Sequence, residues 1–391
     1  MKNATVILRS IIIVFIISAC YSIPKDHSLS YDISKGDTLY ICDAALINRN
    51  IVQTKLSDWI TDFKIVHFED SDSALIKGWR VYTSDNYIGV SDGSMFPFKL
   101  FNHQGKFLGC IGRIGQGPGE YTSIYEAALN EANDRICLAN IEGNLQEYDL
   151  NGNFIRPLGE DFRLNKSGMR YEKDGSLTAT HLVFSGMDKF QYLRIDKNGN
   201  TTSLPSIKSM EVASRDHNGD FVGFNNELWS RNNMPYLTYQ ISAFDTLYAF
   251  KADTHETFPH FTLKNHPNAF CLYNETPFCF LVSAYPSEDW TPITSTIMVD
   301  KQQKRSYYLN VTNDLTGNLP VSGLATSINN GWYYEMFEPY KLLDLIDERL
   351  SNSQCSDKDR KVLENLKNSI DEDGNNIMFM GKLKDHVNIK L

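Results

Sequence analysis

A spacing of 47 residues, met twice in succession, constrains this chain more than any other feature. Asn102-His103-Gln104-Gly105, Asp149-Leu150-Asn151-Gly152 and Asp196-Lys197-Asn198-Gly199 share an Asn/Asp-x-x-Gly signature, and consecutive glycines lie 47 residues apart. A fixed period of this size marks stacked or radially arranged units, none of which can bury its apolar face alone.

The same order of elements recurs around each signature. A strand-like run comes first, as in Tyr87-Ile88-Gly89-Val90, Arg135-Ile136-Cys137-Leu138-Ala139 and Leu177-Thr178-Ala179-Thr180. A second run leads into the signature, and after the glycine a third opens, as in Lys106-Phe107-Leu108 or Asn153-Phe154-Ile155. Short alternating strands joined by glycine-bearing turns describe antiparallel meanders, and Asn-Gly or Asp-Gly supplies the positive φ of a tight hairpin. Aromatic residues at 12% suit such strands. Two further units are read with the glycine lost, at Asp245 and at Asp300, the wider second interval implying an insertion around His255 to Pro292. A sixth unit runs from Ser322 to Phe337. Four-stranded units of this length arranged radially are propeller blades, so the expected fold is all-β, a six-bladed β-propeller over residues 36–391. Pro339 to Leu350 and the run from Ser356 to Ile370 carry apolar residues at helical spacing. They predict a helical pair, about 339–372, inserted in the last blade and followed by a closing strand at Ile377-Met378-Phe379-Met380.

The amino terminus reads as an export signal. Lys2 and Arg9 precede a short apolar core, Ile11 to Ile17, too brief for a permanent span. Ile17-Ser18-Ala19-Cys20 follows and resembles the bacterial lipoprotein processing box, which makes residues 1–19 a signal peptide and Cys20 the site of lipid attachment. Residues 20–35 then serve as a tether. Loss of residues 1–19 leaves 36 basic against 48 acidic residues, a net charge of −12 that argues against nucleic-acid partners. The six cysteines beyond Cys20 form no zinc spacing. Cys110 and Cys137 lie in apolar strand patterns, and although Cys271 with Cys279 is the pair whose spacing best suits a bridge, the cysteines read as structural buried thiols.

Gly112-Arg113-Ile114-Gly115-Gln116-Gly117-Pro118-Gly119-Glu120-Tyr121 is similar to the Gly-x-Gly-Pro-Gly-Glu-Tyr stretch of the six-bladed β-propeller lipoproteins of Bacteroidota, which are related to NHL-type propellers. Leu56-Ser57-Asp58-Trp59-Ile60 resembles the entry segment of that family, and the likeness runs from Leu56 to Leu391. The resemblance implies architecture and surface location, and it assigns no chemistry.

Among candidate sites, the glycine-rich loop is no phosphate cradle. Pro118-Gly119-Glu120-Tyr121 stands where a Walker loop needs Gly-Lys-Ser/Thr, and Glu120 would repel phosphate. Its other readings are a clasp between blades and a ligand site in which Arg113, Gln116, Glu120 and Tyr121 face the central cavity. His255, His260 and His266 match no standard metal spacing, and Asp371 to Asn376 departs from the calcium-loop pattern. Aromatic residues from Phe270 to Trp290 could stack on a sugar or fill blade interfaces. No catalytic residue, metal or cofactor is assigned. The sequence thus points to a lipid-anchored module of the cell envelope, at the outer membrane, that binds an envelope protein or a glycan or peptide ligand. The alternative is a propeller-type lyase or hydrolase acting on carbohydrate or peptide.

Overall fold

Each Asn/Asp-x-x-Gly signature closes the hairpin between the third and fourth strands of a four-stranded antiparallel sheet. The computed structural model describes residues 27–34, 37–78, 80–93, 95–159, 162–266, 269–286 and 296–387, so the signal peptide and Cys20 lie outside the described residues. Six such sheets form the blades of a propeller. Blades one to five start at Arg80–Thr83, Glu126–Asn130, Gly168–Tyr171, Leu228–Arg231 and Ala269–Glu275, and blade six starts at Ile328–Asn329.

Local chemistry explains the turns. Asp149 Oδ1 accepts hydrogen bonds from the amides of Asn151 at 3.0 Å and Asn153 at 2.8 Å, while the Gly152 amide donates to the Asp149 carbonyl at 3.1 Å. Asp196 and Asn102 make the same pair of side-chain contacts. This is a type I turn closed by a glycine bulge, so only the glycine adopts positive φ, +87° at Gly152. In the first two turns the glycine also brings the turn onto the outer strand of the preceding blade. A Cβ on Gly105 would lie 2.0 Å from the His67 carbonyl oxygen, and one on Gly152 would lie 2.2 Å from that of Cys110. Glu69 N donates to Gly105 O at 2.9 Å and Gly112 N to Gly152 O at 3.2 Å, which completes the contact.

The register of the later blades differs from the sequence expectation. Asp245 lies between the second and third strands of blade four, Leu237–Ile241 and Leu247–Lys251. The third-to-fourth turn carries Asp253 instead, 57 residues after Asp196, and Asp300 follows 47 residues later in the equivalent turn of blade five. His255 and Lys304 take the left-handed conformation in these two turns, at φ +57° and +53°. The extra length therefore sits ahead of blade four, in residues 206–227, rather than between His255 and Pro292.

Ring closure uses both ends of the chain. In blade six, Trp332–Phe337 pairs with Ile377–Leu383, which pairs in turn with Ile60–His67 from the amino-terminal region. The helices Pro339–Ser351 and Asp357–Lys367 are inserted between its second and third strands. Pro339 opens the first helix, and the Ser356 hydroxyl caps the second by accepting from Asp359 N at 3.1 Å. Leu342, Ile346, Leu363 and Leu366 bury one stripe of each helix. Upstream of the closing strand, the chain runs along the outer edges of two other blades. Asp37–Asp43 pairs in parallel with Glu256–Lys264 of blade four, and Ile51–Lys55 with Arg305–Asn313 of blade five. Leu29–Ser34 pairs with Asp37–Asp43, so the end of the expected tether is a strand.

The apolar core is divided between facing blades. Val66, Val81, Ile88, Phe101, Met378 and Met380 fill the space between blades six and one. Phe98, Leu100, Ile136, Leu138 and Tyr148 fill that between blades one and two. Each fully buried side chain of this size contributes about 1.5–3 kcal/mol relative to exposure. Cys271 pairs with Ala284 and Cys279 with Asp300 across their strands, and the two are not bridged. Burial pushes both thiols up to about 12.

Candidate functional site

The first strands of blades one to four approach one another in turn, Glu126–Asn130 lying between Arg80–Thr83 and Gly168–Tyr171, and Gly168–Tyr171 next to Leu228–Arg231. Strand geometry alternates side chains between faces, so neighbouring blades deliver only every second residue to a given wall. Asparagines bridge the blades at the axis. Asn232 N donates to Asn329 Oδ1 at 2.9 Å, Asn232 Nδ2 to the Met169 carbonyl at 3.0 Å, and Asn330 Nδ2 to the Thr83 carbonyl at 2.6 Å. Asn233 Nδ2 reaches Asn274 Oδ1 at 2.8 Å, and Asn274 Nδ2 spans to the carbonyls of Ala325 and Ile328 at 2.7 Å each. These amides, each both donor and acceptor, tie blades one, three, four, five and six together across the axis.

Beyond the asparagines the axis opens into a cavity of about 940 Å³, lined from blades one, two, four, five and six and by Lys166 at the entry to blade three. Its ionic groups form two linked sets. Arg80 pairs with Glu126 at 3.3 Å, donates to the Tyr125 carbonyl, and lies 4.5 Å from the centre of the Tyr125 ring. The Tyr125 hydroxyl donates to Glu227 Oε2 at 2.7 Å, while Glu227 Oε1 pairs with Lys166. The Lys166 ammonium also donates to the carbonyls of Phe224 and Asn226 at 2.8 Å each, so all three of its protons are used. Glu227 and both carbonyls belong to the end of the long excursion before blade four.

Burial dominates the protonation of this wall. It pushes the Glu126 carboxyl up against the opposing pull of Arg80, and it pushes Glu335 up despite hydrogen bonds from Tyr333 and Ser322. Glu335 accepts from the Tyr333 hydroxyl at 2.6 Å and the Ser322 hydroxyl at 2.9 Å, with no cation paired to it among the described residues. Burial also raises the hydroxyls of Tyr82, Tyr125 and Tyr334, keeping them as neutral donors. Burial weakens the hold of Arg80 on its proton, but Glu126, Tyr82 and Tyr125 together outweigh it and the net shift is upward. The cavity thus offers fixed cations, protonatable acids, hydroxyl donors and the indole of Trp229.

The residues expected to face the central cavity do not line it. Gln116, Glu120 and Tyr121 border a separate groove of about 380 Å³ beside blade two, and Arg113 is exposed. Glu120 Oε2 folds back to accept from the Gly117 amide at 2.9 Å. The Tyr121 hydroxyl donates to the Ile111 carbonyl at 2.5 Å and accepts from Phe98 N at 2.9 Å, holding blade one to the loop. The three histidines considered for metal diverge: His260 meets Glu275 at 3.0 Å, His266 meets Asp245 at 3.5 Å, and His255 occupies a turn. Tyr273, Phe278 and Phe280 belong to the core, whereas Tyr285 lines the axial cavity and Phe270 packs on Trp229 with ring centres 5.0 Å apart. Trp290 lies outside the described residues.

A family model described as "Domain of unknown function (DUF4934)" matches residues 39–382. None of the curated proteins matches the chain. The fold is similar to a crystal structure from Bacteroides fragilis described as a "Putative exported protein", at a TM-score of 0.56 and 16% identity over 86% of this chain and 100% of that one. At that identity the likeness speaks for the fold alone. Two weaker likenesses carry no argument: the computationally designed Ika8 protein, at a TM-score of 0.35 and 12% identity over 60% of this chain and 61% of that one, and the GH74 xyloglucanase of Xanthomonas campestris, at 0.41 and 13% over 63% and 39%. No helix among the described residues is long and apolar enough to cross a membrane.

Proposed function

The chain belongs to the DUF4934 family, and from that premise we propose that it is an exported, lipid-anchored β-propeller that binds its ligand in the axial cavity. The observation that carries the reading is the cavity itself. About 940 Å³ of open space is surrounded by paired ions and aromatic rings, within the size range of small-molecule sites. Asparagine hydrogen bonds tie the blades together beside the cavity, so a ligand would meet a preformed wall. The carboxylates of Glu126 and Glu227 are already engaged by Arg80, Lys166 and Tyr125, which suits recognition better than bond cleavage.

Location rests on the amino terminus. The order of basic start, short apolar core and Ser18-Ala19-Cys20 supports export with acylation at Cys20, and the exported description of the Bacteroides fragilis neighbour is consistent with it. The NHL-like outer-membrane lipoproteins that the glycine-rich loop resembles would share this arrangement. Replacing Cys20 with Ser should move the protein from the membrane fraction to the soluble one, and retention of the variant in membranes would sink the anchoring claim. For binding, a glycan and peptide library is screened by thermal shift against the wild type and Trp229→Ala. The reading expects hits whose affinity falls at least tenfold in the variant; hits indifferent to Trp229, or none, would refute it.

One observation favours the hydrolase or lyase alternative. Burial raises both Glu335 and Glu126 from their ordinary values, the direction a proton donor needs. A Glu335→Gln variant that binds a cleavable ligand normally but stops its turnover would establish that reading.

A further inference from the structure

Three cations line the axial cavity, and they are not equivalent. Lys166 has spent its three protons, and Arg80 is paired with Glu126. Arg231, on the first strand of blade four, donates only to the Ser230 carbonyl at 3.0 Å and joins no ion pair among the described residues. Its Nε–H is buried without a partner, and so is Oδ1 of the next residue, Asn232. A buried donor or acceptor left unmade costs about 1–3 kcal/mol, so two on consecutive residues of one cavity wall call for a reason. Arg231 is electrostatically coupled to Glu126, which also faces Arg80, so two guanidinium groups share one carboxylate. With Lys166 and Glu227 cancelling each other, Arg80 and Arg231 face Glu126 and Glu335, and the balance is positive wherever burial keeps either carboxyl protonated.

Trp229 supplies the second half of the pattern. It precedes Arg231 by two residues, and positions i and i+2 of a strand share a face, about 7 Å apart. Both are half-buried, whereas Leu228 and Ser230 between and beside them are buried. A flat indole and a guanidinium fork on the same face of one strand match a six-membered ring bearing a carboxylate. Guanidinium recognises carboxylate in a planar, two-bond geometry, and aromatic faces pack against sugar C–H surfaces.

We infer that the axial cavity recognises a carboxylate-bearing sugar, a uronic acid, with its carboxylate against Arg231 and its ring against Trp229. This rests on the axial cavity being the binding site. The test uses trimers of galacturonate, glucuronate and mannuronate, their methyl esters, and neutral trimers of the parent hexoses, titrated calorimetrically into the wild-type protein. The ester keeps the shape and removes the charge, so this arm needs no variant. At least one free acid should bind at least tenfold more tightly than its ester, and the advantage should shrink as salt rises. Arg231→Gln, confirmed as folded by an unchanged melting transition, should abolish that advantage. Equal binding of acid and ester, or full retention of the advantage in Arg231→Gln, would overturn the inference. If neutral trimers alone bind and Trp229→Ala removes them, the uronate assignment falls while the cavity remains the site. If no trimer binds, the assignment also falls, and the cavity reading is then decided by the library screen.

Discussion

Gly152 and Gly219 form a matched pair that isolates what the repeated turn does. Both have φ +87°, and both follow an aspartate whose Oδ1 accepts from the amides two and four residues on. Their surroundings differ. A Cβ on Gly219 meets nothing within 4 Å, whereas one on Gly152 lies 2.2 Å from the Cys110 carbonyl oxygen of blade one. For Gly219→Ala, the left-handed conformation costs about 1–2 kcal/mol, offset by about 0.4–1 kcal/mol from the stiffer unfolded chain. The net loss is under about 1.5 kcal/mol. Gly152→Ala carries the same terms, and the turn must also withdraw from the neighbouring blade. That withdrawal sacrifices the Gly112–Gly152 hydrogen bond, about 0.5–1.5 kcal/mol, and adds overpacking of about 1–3 kcal/mol. The variant should therefore be roughly 2–4 kcal/mol less stable than Gly219→Ala by the same terms. Urea unfolding followed by circular dichroism measures both. Equal midpoints for the two variants would refute the claim that the repeated glycine clasps one blade to the next.

Two other consequences are testable. Glu275 is fully buried, and its Oε1 accepts from Lys301 at 2.6 Å, Tyr236 at 2.9 Å and His260 at 3.0 Å. Burial pushes its carboxyl up, but His260 and Lys301 outweigh burial and hold it below its ordinary value of 4.5. Glu275→Gln leaves a buried ammonium without its counter-charge and should cost about 3–5 kcal/mol at neutral pH. A depressed carboxyl stabilises above its unfolded pKa and loses that contribution as pH falls through the folded value, so the gap between variant and wild type should close below about pH 4. A gap that is constant from neutral to acid pH in urea titrations would contradict the ion-pair assignment. For the thiols, Cys42, Cys137, Cys271 and Cys279 are buried and Cys110 and Cys355 half-buried. An aromatic disulfide reagent should label the latter two in native buffer and the four buried thiols only after denaturation without reductant. Two thiols missing from the denatured count would point to a Cys271–Cys279 bridge.

The scaffold was legible where its chemistry is local. Asn102, Asp149 and Asp196 close their turns through their own side chains, so the signature and the structure coincide residue for residue. The helical pair and the closing strand were legible from apolar spacing. Blade four escaped because its turn has no glycine: His255 accepts the left-handed conformation instead, and Asp253 stands 57 residues from Asp196. The amino-terminal strands on blades four and five escaped as well, since their partners lie more than 200 residues away. Arg80, Glu126 and Arg231 carry no motif, because each is an isolated residue on a different strand that meets the others only at the axis.

The break in the period turns out to be informative in its own right. Ten residues separate the 57-residue interval from the 47-residue one, and the structure places the added length in 206–227. That excursion ends by presenting the Phe224 and Asn226 carbonyls and the Glu227 side chain to Lys166, whose backbone is itself left-handed at φ +47°. A lysine neutralised by three acceptors cannot serve an anionic ligand, and a glutamate held by lysine and tyrosine cannot repel one. The insertion therefore removes two competing charges from the cavity wall, and it leads directly into the strand that carries Trp229 and Arg231. Shortening the excursion while keeping blade four would free Lys166 and add a second cation beside Arg231. Such a variant should bind anionic ligands with less discrimination, and unchanged selectivity would show that the insertion has no part in setting the charge of the cavity.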